Sequence, residues 1–308
     1  MKSDLKNVTI IGAGAWGSAL ASLVQTNNHH VQIWSRQSPY SLAEAVTKSD
    51  AIVSAVSMRG VRAIAEQLQT AQLLPHAILV SATKGLEPLT CQTPSQIWRS
   101  LLPEHSLVVL SGPNLSQEIV IGKPAATVVA STDDHAAQFI QNIFASRNFR
   151  VYTNSDPIGV ELGGTLKNVI AIAVGACDGL NLGANAKSAL ITRSLIEIIR
   201  VGVYFGAQPE TFWGLSGLGD LLATCNSNLS RNYQVGYAIA QGKSLEEAIA
   251  SISGTAEGVN TANVLIEISD REKISVPVSR YVYRLLKGEI TLQQAVEGLM
   301  ERDLKPEN

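Results

Sequence analysis

The chain has 308 residues, 45% of them hydrophobic, and a formal net charge of −2. That length suits one large domain or two ordinary ones, with enough apolar residues for a real core. Without any basic run, nucleic acid and an anionic membrane surface are excluded as main partners.

In chain order, short β-branched runs alternate with helical patterns. The runs are VTII (8–11), VQIW (31–34), AIVSAV (51–56), AILVSAT (77–83) and SLVVL (106–110). They are continuously apolar, as in strands buried on both faces. Helices are expected between them at 15–27, 40–48, 60–69 and 93–101. This is the rhythm of a doubly wound α/β sheet. ATVVAS (126–131) and RVYT (150–153) flank another helix and extend the sheet. After Asp156-Pro157 the strand rhythm stops, and the rest reads as helices joined by glycine-rich loops. The expected organisation is a Rossmann-like dinucleotide-binding domain over 1–155 and an all-α substrate-binding and catalytic domain over 156–308.

The N-terminus, MKSDLKNVTIIGAG, enters a strand at once without a secretory pattern. No apolar stretch of about 18 or more residues marks a membrane span, so a cytoplasmic protein without integral membrane association is expected. Cys91, Cys177 and Cys225 lie far apart with no C-x-x-C pair. That argues against a disulfide framework and a cysteine-ligated zinc site, and no metal is expected.

IIGAGAWGSALA carries G-x-G-x-x-G as Gly12, Gly14 and Gly17, between an expected strand and an expected helix. Gly12 permits the tight turn, Gly14 lets backbone approach a pyrophosphate, and Gly17 allows close packing of the helix. The helix N-terminus then favours phosphate charge. An NAD-specific site usually places Asp or Glu about 20 residues past the loop. Here Ser35 and Arg36 end the second strand. Arg36 suits a ribose 2′-phosphate, which favours NADP over NAD, or it is a solvated arginine after an edge strand.

SATKGLEP places Lys84 past the end of the fourth strand, and SGPN places Gly112 and Asn114 past the fifth. Ligands of open α/β sheets bind at this edge. Lys84 either holds an anion or carbonyl oxygen or is a turn lysine. Asn114 or Ser116 reads as the cap of a short following helix.

ELGGTLKNVIAIAVG (161–175) sets a single lysine, Lys167, in an apolar run. Its helical neighbours are Gly163, Gly164, Ile170 and Ala171, none of them acidic. The bare face leaves room for a ligand against the ammonium. Desolvation without a carboxylate partner lowers a lysine pKa toward the range for proton exchange; alternatively the head snorkels to water. All five histidines (His29, His30, His76, His105, His135) lie in the first half. A proton carrier in the helical half must therefore be another residue, and Lys167 is the candidate, with Asp220 beside it in role. GLSGLG delivers Asp220 to the start of a helix. Ser230 reads as an N-cap with Arg231 and Asn232 in the first turn, an arrangement suited to a phosphate monoester or simply a well-capped helix. Glu257, in GTAEGVNTA, reads as a ribose ligand or a solvated loop glutamate.

Together, GAGAWGSALA, SATKGLEP, SGPNLSQEI, ELGGTLKNVIAIAVG, KSALITRSL, TFWGLSGLGDLLATC, SNLSRN and AEGVNTA resemble the bacterial NAD(P)-dependent glycerol-3-phosphate dehydrogenase family, in family order over nearly the whole chain. The resemblance implies reversible reduction of dihydroxyacetone phosphate to sn-glycerol 3-phosphate for glycerophospholipid synthesis, by a homodimer. It implies Lys167 as catalytic acid/base. It places Lys84, Gly112, Asn114, Asp220, Ser230, Arg231 and Asn232 at the substrate. Gly12, Gly14, Ala15, Trp16, Gly17, Arg36, Lys84, Ser116, Arg231 and Glu257 would lie at the cofactor. Two stretches depart from the family pattern: the segment after Arg36 is short, trimming the adenine side, and GANAK lacks an acidic residue after its glycine. The rivals are a β-hydroxyacid dehydrogenase of the same two-domain fold and a non-catalytic NADP-binding sensor. A sensor would have lost the lysine of LKN or the SRN triplet, and both are present.

Overall fold

The computed structural model describes residues 5–301, 303 and 306. Among the described residues seven strands form one sheet: β1 (Asn7–Ile11), β2 (His30–Trp34), β3 (Ala51–Ser54), β4 (Ile78–Ser81), β5 (Leu107–Ser111), β6 (Ala125–Ala130) and β7 (Phe149–Asn154). Their order is β2-β1-β3-β4-β5-β6-β7. β1 to β5 are parallel, with Val8 opposite Ala51 and Val80 opposite Val108. β6 pairs antiparallel to β5, and β7 runs parallel to β6. β3, β4 and β5 are buried throughout, which explains their unbroken apolar sequence.

Two cores cover the faces. Val8, Ile10, Val53 and Val80 pack with Leu20 and Val24 of α1 (Ala15–Thr26) and with Ile140 and Phe144 of α6 (Asp134–Phe144). Ile11, Ile52 and Leu79 pack on the other face with α2 (Leu42–Val46), α3 (Met58–Gln69) and α4 (Pro94–Leu101). Successive strand residues thus serve opposite layers. The short α5 (Ser116–Val120) follows β5. Strand order reverses at β1, so the crevice past the carboxyl ends of β1 and β3 is where this topology receives a ligand.

Beyond β7 the chain is helical: α7 (Pro157–Gly179), α8 (Gly183–Tyr204), α9 (Asp220–Cys225), α10 (Arg231–Ala240), α11 (Leu245–Ala250), α12 (Glu257–Arg271), α13 (Pro277–Leu286) and α14 (Leu292–Met300). α7 opens on Pro157, with the Asp156 carboxylate accepting the Gly159 N–H at 2.9 Å. One expectation is corrected here. By length and composition α7 is apolar enough to cross a membrane, but 94% of its apolar window is buried inside the protein. It is a core helix, apolar all round because the other elements surround it. It meets α10 backbone to backbone: a Cβ at Gly236 would lie 1.9 Å from the Ile172 carbonyl oxygen, and one at Gly175 2.0 Å from that of Tyr233. The stretch GLSGLG is also more ordered than a loop, since Leu215–Gly219 forms a π-turn leading into α9.

Candidate active site

A cleft of about 670 Å³ opens between the carboxyl edge of the sheet and the helical half. The glycine loop forms one wall. Gly12 has φ +118°, and a Cβ there would sit 2.7 Å from the Ala55 carbonyl oxygen. Its N–H donates to the Trp34 carbonyl at 2.8 Å, which seats the loop over the end of β2. A Cβ at Gly17 would strike the Gly12 carbonyl oxygen at 1.9 Å, so α1 starts hard against the loop. Gly14 is the N-cap of α1, makes no side-chain cap, and would have nothing within 4 Å of an added Cβ. The first N–H groups of α1 have no intrahelical partner, and the approach to them is open. This cradle fits the pyrophosphate of a dinucleotide. Ala15 and Trp16 line the cleft, and the Trp16 indole donates to the Ala82 carbonyl at 3.0 Å.

Lys167 lies in the cleft, buried, and the structure corrects its expected isolation. Its ammonium is 2.8 Å from Asp220 Oδ1 and also donates to Thr224 Oγ1. The partner comes from α9, outside the helix that carries the lysine. The Thr224 hydroxyl in turn donates to Asp220 Oδ1 at 3.3 Å. Asp220 Oδ2 receives Lys84 Nζ at 2.5 Å, and Lys84 also donates to the Gly112 carbonyl at 3.2 Å. One carboxylate thus joins two ammonium groups, one on each oxygen, and the trio carries a net positive charge. The Lys167 pKa falls to about 8, chiefly through burial, with Asp220 opposing the fall and Lys84 adding to it. The bare glycine face is also corrected: it holds protein, not ligand. A Cβ at Gly164 would meet Ser111 Oγ at 2.1 Å and Lys84 Cε at 3.2 Å, and one at Gly163 the Ser216 carbonyl oxygen at 2.8 Å. These glycines let α7 approach β5 and the π-turn.

The N-terminus of α10 forms the opposite wall. Ser230 is its N-cap and accepts the Tyr233 N–H at 3.3 Å. Arg231 is exposed at the cleft. Asn232 is buried and its amide is committed on both sides: Nδ2 donates to Asn168 Oδ1 at 2.9 Å, and Oδ1 accepts the Gly258 N–H at 2.9 Å. Its side chain therefore braces α7, α10 and α12, and the exposed polar groups of this turn are the Arg231 guanidinium and the backbone.

Other expectations fare differently. Neither Asn114 nor Ser116 caps α5, whose N-cap is Leu115 without a side-chain bond. The Asn114 amide donates to Thr127 Oγ1 on β6 at 2.9 Å, because the neighbouring strand offers an acceptor there. Its Oδ1 is buried with no partner among the described residues, and both Asn114 and Ser116 line the cleft. Gly112 lies beneath Lys84 at φ +150°, with an added Cβ 3.0 Å from Thr127 Cα. Glu257 is not a loop residue; it is the first residue of α12, half-buried. Burial raises its carboxyl pKa, while the Met58 N–H that it accepts and the charges of Arg231 and Arg59 oppose that. Arg36 sits in an exposed turn after β2, outside the residues that line the cleft. Asn168 and Thr224, not singled out from the sequence, both line it. Thr224 lies one helical turn after Asp220, and Asn168 directly follows Lys167, so their spacing was the available signal. Among the described residues no histidine lines the cleft.

Comparison with known proteins agrees over nearly the whole chain. Residues 7–41 and 37–137 match the family model for the NAD-dependent glycerol-3-phosphate dehydrogenase N-terminus, and 156–297 that for its C-terminus. A glycerol-3-phosphate dehydrogenase (NAD(P)+) of Synechocystis sp. is 64% identical over 300 residues, covering 97% of this chain and 95% of that protein. The protein of that name from Gloeobacter violaceus is 50% identical, covering 98% and 99%. The crystal structure of glycerol-3-phosphate dehydrogenase from Coxiella burnetii superimposes with a TM-score of 0.92 at 32% identity, covering 97% of this chain and 99% of that one. With its glycine loop, lysine–aspartate–lysine trio and two matched halves, the chain belongs to the NAD(P)-dependent glycerol-3-phosphate dehydrogenase family of oxidoreductases.

Proposed function

We propose that the chain interconverts dihydroxyacetone phosphate and sn-glycerol 3-phosphate, with Lys167 moving the proton. The observation that carries this reading is the Lys167–Asp220–Lys84 trio, set in one cleft with the open N-terminus of α1 and with Arg231. On this reading residues 1–155 hold the cofactor and 156–308 supply the substrate site, a division supported by β7 ending at Asn154 and α7 opening at Pro157. We further infer that it works in the cytoplasm as a homodimer, supplying glycerophospholipid synthesis.

Gly12, Gly14, Ala15, Trp16 and Gly17 would hold the cofactor pyrophosphate, and Ser116 and Glu257 would line its path. A dinucleotide held there would supply hydride chemistry, and the substrate's ketone oxygen would gain negative charge. With a pKa of about 8, Lys167 is mainly an ammonium at neutral pH and donates a proton to that oxygen. In the reverse direction neutral Lys167 takes the proton back. Lys84, held by Asp220 and the Gly112 carbonyl, stabilises the developing charge. Asp220 orients both ammonium groups. Arg231 and the first N–H groups of α10 take the substrate phosphate, with Ser230 fixing the turn and Asn232 bracing it. The unpartnered Asn114 Oδ1 stands ready to accept a donor from substrate or cofactor. Arg36, beside the end of β2, would receive the 2′-phosphate, favouring NADP.

Steady-state initial rates with dihydroxyacetone phosphate and each of NADH and NADPH test the proposal. Turnover with both, with the larger kcat/KM for NADPH, is expected, and β-hydroxy acids should be inert. Failure to reduce dihydroxyacetone phosphate with either cofactor would overturn it.

A further inference from the structure

Lys84 is not carried by a regular element. It lies in the segment joining β4 to α4, whose internal backbone bonds, Glu87 N–H to the Gln92 carbonyl and Cys91 N–H to the Glu87 carbonyl, lie beyond the lysine. Thr83 Oγ1, donating to the Val56 carbonyl at 2.8 Å, and the Arg62–Glu87 pair hold it from the sheet side, and the helical half holds it from the other. Gly85 N–H, next to the lysine, donates to Thr165 Oγ1 at 3.1 Å. The Leu86 carbonyl accepts Asn260 Nδ2 of α12 at 2.9 Å. At the far end Ser95 donates its N–H to Glu161 Oε1 at 2.9 Å and its hydroxyl to Glu161 Oε2. At the near end the Ser81 hydroxyl reaches Glu161 Oε1 at 3.5 Å. Glu161, Thr165 and Asn168 stand at i, i+4 and i+7 of α7, one stripe of that helix. Two of them grip the Lys84 segment, and the third lines the cleft.

Glu161 is 2% exposed and faces no cation among its hydrogen-bond partners. Ser95 is the second residue of α4, a position whose N–H has no intrahelical partner. The carboxylate that satisfies it comes from the other half of the molecule. Burial pushes the Glu161 carboxyl up, against the hydrogen bonds from Ser95, Thr93 and Ser81. A buried acid of this kind is weak support for stability, so its role is sought in what it fixes.

We propose that Glu161, with Thr165, is a positioning residue: it ties both ends of the 81–95 segment to α7, so that Lys84 reaches Asp220 beside Lys167. Glu161 touches neither lysine and acts through the segment. The inference rests on the proposed reaction for its kinetic consequence, but not for its structural one. Freed from this tie, Lys84 would leave Asp220 to Lys167 alone. Both changes raise the Lys167 pKa, because Lys84 lowers it and Asp220 raises it.

The experiment compares wild type with Glu161→Ala, Glu161→Gln and Thr165→Val. Glu161→Ala is expected to cut kcat for dihydroxyacetone phosphate about 10-fold, below the about 10²–10⁴-fold of losing a general acid outright, because Lys84 is displaced and not removed. The inflection in the pH profile of glycerol 3-phosphate oxidation should move upward. Glu161→Gln keeps an acceptor for the Ser95 N–H and a donor for its hydroxyl, and should restore most of the rate. Thr165→Val should reproduce the upward inflection in part, and it carries the test if Glu161→Ala does not fold. A second readout is independent of turnover: acylation of Lys84 by an amine-reactive reagent, followed by peptide mass spectrometry, should accelerate several-fold in Glu161→Ala. Faster acylation in a protein whose wild type does not turn over would refute the proposed reaction and leave the positioning role standing. Unchanged acylation together with an unchanged rate and pH profile would overturn the positioning role itself.

Discussion

Replacing Asp220 by asparagine keeps the size of the side chain and removes the charge that joins the two lysines. Its Oδ1 is 2.8 Å from the Lys167 ammonium. At an effective dielectric of about 20, unit charges at that separation interact by about 6 kcal/mol. Relaxation and water reduce this to about one third, about 2 kcal/mol, which moves the lysine titration by about 1.5 in pH. The sign follows from the balance at the site: burial and Lys84 lower the Lys167 pKa to about 8 while Asp220 raises it, so the substitution lowers it further. The inflection should fall to about 6.5. At pH 7.5 the ammonium fraction would drop from about three quarters to about one tenth, costing reduction about 8-fold from protonation alone. Misplacement of Lys84 adds to that. The assay is the initial rate of dihydroxyacetone phosphate reduction from pH 5.5 to 9.5, followed by NADPH absorbance. Wild type should lose rate above about pH 8 and Asp220→Asn from about 6.5. A variant that kept the wild-type inflection would show that Asp220 does not set the proton affinity of Lys167.

Three further outcomes are expected. Lys167→Ala should lower kcat by about 10²–10⁴-fold and leave NADPH binding, measured by fluorescence titration, nearly intact; normal turnover would remove the lysine from the chemistry. Arg36→Ala should weaken NADPH by about 10-fold or more through loss of a charge-assisted hydrogen bond and spare NADH, whereas equal weakening of both would place the 2′-phosphate elsewhere. Arg231→Ala should raise KM for dihydroxyacetone phosphate sharply and barely change the poor use of unphosphorylated dihydroxyacetone, once NADPH affinity is measured separately. An equal penalty on both ketones would move the phosphate site toward Lys84.

The sheet was legible because its central strands are buried on both faces and therefore unbroken in apolar character, and because the glycine loop falls between a strand and a helix. Ser230 as a cap was legible because capping is local. What escaped was tertiary. The partner of Lys167 sits on α9, so a search of the lysine's own helix finds no charge. Gly163 and Gly164 read as an open face when the elements that fill it lie elsewhere in the chain. Asn114 resembles a cap until β6 places Thr127 within reach of its amide. Glu161, with no opposite charge near it in sequence, gave no signal at all, since its partners lie at the two ends of another segment.

The crossing of α7 and α10 acts as a ruler. Lys167 is fixed to one helix and Arg231 to the other, and backbone contact at Gly175 and Gly236 leaves those helices no room to move closer. The bridge between Asn168 and Asn232, at 2.9 Å, pins their register next to the cleft. In the proposed reaction the distance from the reacting oxygen to the phosphate is therefore set by a helix crossing, not by flexible side chains. A phosphorylated ketone one carbon longer would have to fold back on itself or leave one of its two anchors. On the proposed reading, the small residues of the helix core, about two turns of α7 beyond Lys167, would thereby measure the length of the substrate.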